Sequence, residues 1–164
     1  MQVYWLEQNV ADLPADDDWL GAAEAAHLSR LRFAKRRRDW RLGRWTAKHA
    51  LAQYLNLPSD HSALSAIEIR PAADGAPEAF LANQPGAPSI SLSHRAGVAV
   101  CGVARPGVAL GCDLEVAEPR SEAFTADYFT PAEQAWVAQA AAADRPAMLA
   151  LLWSAKESVL KAQR

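Results

Sequence analysis

The chain has little cysteine, no long apolar run and almost no net charge, and each scarcity removes a class of protein. Cys101 and Cys112 are its only cysteines. Two residues so placed make neither a disulfide framework nor a zinc site, so both read as reduced core thiols. No window approaches the run of roughly 18 apolar residues that spans a bilayer. The opening "MQVYWLEQNV" lacks the basic flank and apolar stretch of a secretory signal, so the expectation is a cytoplasmic protein with no membrane partner. A formal net charge of -2 argues against a surface built as a whole for nucleic acid or an acidic membrane. Basic function must be local. There is no internal repeat, and 164 residues, half of them hydrophobic, allow one sizeable core or two small lobes.

What is present reads as a mixed α+β chain. "QVYWLE" is aromatic and β-branched and suits an edge strand. Helical propensity follows from Trp19 to Leu31. A longer helix is expected from Arg38 to Leu55, where Leu42, Trp45, Leu51 and Tyr54 recur with a period near 3.6. Residues 71–88 hold the Pro and Gly signals of turns between short strands. "SISLSH" and "GVAVCGVA" give the best β pattern. "RPG" at Arg105–Gly107 is expected to turn the chain into a further strand, "VALGCDLEV", forming a hairpin that brings Cys101 near Cys112. The final third reads as helices. Thr130-Pro131-Ala132-Glu133 has the order of an N-cap, a proline at the first helical position and a carboxylate three residues after the cap. A last helix is expected from Pro146 through Trp153 toward Lys161, capped by Asp144.

Asp113 and Glu115 stand two apart in the expected strand and project from one face. Glu157 and Lys161 stand four apart in a helix and share a side. Three carboxylates and an ammonium suit a site that handles a metal-bound phosphate, with hard oxygen ligands for Mg²⁺ and a cation for a phosphoryl oxygen. The bland reading of each motif alone is a solvated pair on a strand or helix surface. Nine of the seventeen Lys and Arg residues lie between Arg30 and Lys48. Such a run is a solvated helix face or a phosphate-neutralising patch.

The ordered set "GAP" at Gly75–Pro77, "SLSH" at Ser91–His94, "LGCDLE" at Leu110–Glu115 and "WSAKESVLK" at Trp153–Lys161 resembles the 4'-phosphopantetheinyl transferases of the larger, pseudo-dimeric type. The helix "RFAKRRRDWRLGRWTAKHAL" is similar to that family's amino-terminal helical region. The resemblance implies an α+β fold of two related lobes, residues 1–107 and 108–164, with the second lobe shortened and a coenzyme A cleft between them. It implies transfer of the phosphopantetheine arm of coenzyme A to a serine of an acyl or peptidyl carrier protein. Asp113, Glu115 and Glu157 would hold Mg²⁺, and Glu157 would also serve as general base. Lys161 would steady the pyrophosphate. Ser93 and His94, with Arg44 and Lys48, would contact coenzyme A.

The sequence departs from the family pattern at Ala76, where a basic residue is usual, and at Arg95, which could supply that charge. It also stops three residues past Lys161, where self-association could cover an open edge of the shortened lobe. Two rivals accompany this reading. One is a member that binds coenzyme A or a carrier protein without transfer, and the other, set aside, is a nucleic-acid module using residues 30–48.

Overall fold

The computed structural model describes residues 2–82, 84 and 87–164. A three-stranded antiparallel sheet has the order β1 (Tyr4–Asn9), β5 (Val98–Ala104), β4 (Ser89–Arg95). In its register Leu6 faces Cys101 and Cys101 faces Leu92. The edge strand expected at the amino end is there. The helix α2 (Ala34–Tyr54) buries Trp45, Ala47, Ala50 and Leu51 with Cys101, Val103 and Ile90 in the main core. Leu92 comes so close to α2 that a Cβ at Gly43 would lie 3.2 Å from its methyl carbon. α1 (Ala22–Arg30) and α3 (His61–Ser65) flank this unit, and β2 (Ile67–Pro71) pairs with β3 (Pro77–Leu81) in a separate two-stranded hairpin.

The hairpin of the main sheet is not the one expected at "RPG". β4 and β5 are joined directly by Ala96 and Gly97, both with positive φ (51° and 81°), as the two-residue connections that match strand twist require. Residues 105–107 do turn, with Gly107 at φ 77°, but residues 108–120 belong to no strand. Two side chains stand in for a ladder. Ser91 and Ser93 project from one face of β4, and their hydroxyl oxygens accept the Cys112 and Leu114 N–H groups at 2.9 and 3.2 Å. The segment therefore lies across the sheet face opposite α2. Cys101 points into the α2 core while Cys112 covers the other face with its thiol 3.0 Å from the Ser91 carbonyl. The two sulfurs are unbonded neighbours across the sheet rather than partners on adjoining strands.

Three helices complete the chain: α4 (Glu122–Tyr128), α5 (Pro131–Gln139) and α6 (Arg145–Ala162). The Thr130/Glu133 capping box is formed as its sequence predicts. The start of α6 is also as expected, but Asp144 makes no side-chain cap bond. Phe129, Val137 and Leu149 form a second small core, with Phe124, Leu152 and Trp153 packed against it. No described helix is long and apolar enough to cross a membrane.

Candidate active site around Asp113

α6 closes on the 110–114 segment by backbone contact. A Cβ at Gly111 would stand 1.8 Å from the Ser158 carbonyl oxygen, so only glycine permits this approach. Once docked, the helix presents Ser154, Glu157 and Lys161 from one side, as residues three, four and seven apart do. Ser154 donates to the Asp113 carbonyl oxygen at 3.0 Å, and Lys161 donates to the Cys112 carbonyl oxygen at 3.0 Å and to Asp113 Oδ1 at 2.7 Å. Ser93 donates to the same Oδ1 at 3.0 Å. The Asp113 side chain is 8 % exposed, and its other oxygen, Oδ2, is buried with no partner among the described residues. A buried carboxylate oxygen left unpaired carries a desolvation cost that a cation would offset.

The other sequence-predicted carboxylates are disposed differently. Glu115 Oε2 accepts from Arg120 at 2.9 Å, with the Arg95 guanidinium at 3.9 Å. Arg95, which could supply the charge missing at Ala76, spans Glu115 and Glu118. Glu157 is half-buried on the α6 face that carries Lys161. The ligating oxygens of Asp113, Glu115 and Glu157 are not all within 4.8 Å of one another; among the described residues the one group that meets that criterion is Asp16, Asp18 and His61. His94 is exposed at the end of β4, one residue from Ser93.

Two basic residues read as ligand contacts face inward. Lys48 is fully buried, with its ammonium 2.5 Å from Glu24, 2.9 Å from the Trp19 carbonyl oxygen and 3.1 Å from that of Leu64. Its three N–H donors are thereby used, so direct contact with a soluble ligand is corrected to a structural role. Burial holds its pKa below the usual lysine value, and Glu24 opposes that shift. Arg44 lies over the Trp40 ring and 3.9 Å from Glu24, and burial lowers its pKa too. Arg37 donates to the Leu28 carbonyl oxygen at the end of α1, and Arg41 donates to those of Pro14 and Asp16. Arg30, Arg32, Lys35, Arg36 and Arg38 remain exposed.

Beside this site lies a cleft of about 440 Å³, bounded by the β2–β3 turn at Gly75–Pro77, by β4, and by Leu110, Lys161 and Arg164. Gly75 has φ 87° in that turn. Lys161 belongs to both places, lining the cleft and holding Asp113. Sequence reasoning missed Ser91, Ser154 and Arg120 as supports of the site. The period-two serines in "SISLSH" were the available signal for Ser91.

Residues 109–164 match a family model described as the 4'-phosphopantetheinyl transferase superfamily. Among solved structures, a Bacillus anthracis holo-(acyl-carrier-protein) synthase in complex with CoA (3',5'-ADP) is similar at 18 % identity and a TM-score of 0.52 over 62 % of this chain and 91 % of that one. A Thermotoga maritima holo-[acyl-carrier-protein] synthase gives 21 % identity and 0.44 over 78 % and 74 %. The first likeness establishes the fold as that of the holo-synthases, in agreement with the α+β architecture. No curated protein matches the chain.

Proposed function

We infer that this chain, whose residues 109–164 match a family model described as the 4'-phosphopantetheinyl transferase superfamily, moves the phosphopantetheine arm of coenzyme A onto a serine of an acyl or peptidyl carrier protein. The observation that carries the reading is the Asp113 carboxylate, with Oδ1 fixed by Lys161 and Ser93 and Oδ2 buried and unpaired. Mg²⁺ fits that donor set, because a hard cation seeks carboxylate oxygen and its charge removes the desolvation penalty. Asp113 would hold it through Oδ2, with Glu157 and Glu115 as further ligands. Bound there, the ion would neutralise the pyrophosphate. The 440 Å³ cleft and exposed His94 are assigned to coenzyme A, with Lys161 reaching from the cleft wall toward the pyrophosphate.

In the reaction the carrier serine oxygen attacks the phosphorus on the pantetheine side of the pyrophosphate. A P–O bond forms to serine and the bridging P–O bond breaks, releasing adenosine 3',5'-bisphosphate. Glu157 accepts the serine proton, directly or through water, and Lys161 stabilises charge on the departing phosphate. The lobe division at residues 107 and 108 is part of this proposal.

One observation favours a second reading, binding without transfer. Glu115 is already neutralised by Arg120 and Arg95, and the three carboxylates are not gathered into one cluster. Release of adenosine 3',5'-bisphosphate separates the two readings. It should appear only when coenzyme A, Mg²⁺ and an apo carrier protein are all present. Coenzyme A binding without that product, across several apo carrier proteins, would leave binding alone.

A further inference from the structure

The geometry points to Ser93 as a positioning residue for Asp113 rather than a contact for phosphate, and it rests on the transferase reading above. The Ser93 hydroxyl carries one proton and is already committed twice. It donates that proton to Asp113 Oδ1 at 3.0 Å and accepts the Leu114 N–H at 3.2 Å. A hydroxyl has a single donor, so donating to a phosphate oxygen would mean releasing the carboxylate. Ser93 is also 7 % exposed, between the sheet and the segment it holds.

The consequence lies in which Asp113 oxygen is left over. Lys161 and Ser93 converge on Oδ1, and Ser154 and Lys161 fix the backbone on either side of the Cα through the Asp113 and Cys112 carbonyls. Rotation about the Cβ–Cγ bond, which is soft for aspartate, is thereby set so that Oδ2 is the free acceptor. Ser91 does the first half of the same task. It accepts the Cys112 N–H at 2.9 Å, whereas the hydrogen bonds to the carboxylate come from Ser93 and Lys161. The two serines hang the segment on β4, and Ser93 alone also aims its carboxylate.

The test compares Ser93→Ala, Ser93→Thr and Ser91→Ala in the full chain. Coenzyme A affinity is measured by calorimetry with a chelator present, and Mn²⁺ affinity by loss of the free-ion electron paramagnetic resonance signal at saturating coenzyme A. Loss of an outer-shell partner typically costs about 10–100-fold in metal affinity, and that loss is expected for Ser93→Ala with coenzyme A affinity in chelator little changed. Ser93→Thr, which keeps the hydroxyl, should recover most of the Mn²⁺ affinity, and Ser91→Ala should lose clearly less than Ser93→Ala. Circular dichroism melting confirms that each variant is folded at the assay temperature. A Ser93→Ala protein that loses coenzyme A affinity in chelator but keeps its Mn²⁺ affinity would overturn the positioning role and restore the phosphate contact. A wild-type protein that binds neither coenzyme A nor Mn²⁺ would overturn the functional reading itself, and the inference with it.

Discussion

Lys161 donates to Asp113 Oδ1 across 2.7 Å, although the two residues are 48 positions apart and no regular pairing joins their segments. This contact ties α6 to the loop that "LGCDLE" forms and brings together the two most specific sequence motifs. The same ammonium lines the neighbouring cleft. Lys161→Ala should therefore lower the transfer rate by about 10²-fold or more, the usual effect of deleting a preorganised charge-stabilising group. It should do so with the chain still folded, read as steady-state transfer to a carrier protein beside a thermal melt.

Gly111 tests how α6 is seated. With the Ser158 carbonyl oxygen 1.8 Å from where a Cβ would stand, Gly111→Ala must push the helix away. The expected cost is about 1–3 kcal/mol or more, as in other overpacked contacts, measured by urea unfolding. Activity should fall further than stability, because Ser154 and Lys161 move off Asp113 together. An Ala variant as stable and active as the parent would mean that the helix is not held there.

The Glu24–Lys48 pair makes a prediction of the opposite kind. Glu24 is 3 % exposed and accepts from Lys48 and from the Gly21 and Ile69 N–H groups. Removing one partner of a buried pair leaves the other charge uncompensated, so Lys48→Met should cost about 3–5 kcal/mol in unfolding free energy. Adding Glu24→Gln should return part of it, a coupling that a double-mutant cycle reads. Coenzyme A affinity per folded molecule should stay near that of the parent, whereas a direct ligand contact would make affinity fall with the lysine.

Much of this arrangement is legible in the residues and some of it is not. The Thr130/Glu133 capping box, the long basic helix and the edge strand follow local rules that the tertiary structure leaves intact. The β4–β5 connection is hidden because Ala96 adopts a positive φ that its side chain disfavours, so no Asn-Gly or Gly-Gly signal marks it. "VALGCDLEV" has strand composition, yet its N–H groups at Cys112 and Leu114 are satisfied by serine hydroxyls rather than by a ladder. Glu24 sits in an Ala-rich helix whose composition does not mark it for burial, and it is buried through contacts with Lys48 and Ile69, 24 and 45 residues away. Periodicity within one helix carries no information about such partners.

His49 gives the pH dependence a sign. Burial, and next the nearby His61, hold its pKa below the usual imidazole value. Its Nε2 is buried without a hydrogen-bond partner among the described residues, and its ring stands 4.2 Å from that of Trp45. As pH falls through about 6.5 the unfolded chain takes up a proton that the folded chain resists. This contribution is complete above that pH and declines below it, toward the folded-state pKa. Unfolding free energy should drop between pH 7.5 and 5.5 by more in the parent than in His49→Gln, and equal drops would remove His49 from the account.

The most direct measurement is the intact mass of an apo acyl or peptidyl carrier protein after incubation with this protein, coenzyme A and Mg²⁺, beside Asp113→Asn and Glu157→Ala variants. The account predicts that the carrier protein gains one phosphopantetheine arm on its acceptor serine with the parent, and that both variants lose nearly all of that gain. Equal modification by the variants would contradict the roles given to Asp113 and Glu157. No modification of any carrier protein by a parent that binds coenzyme A would contradict the transferase itself.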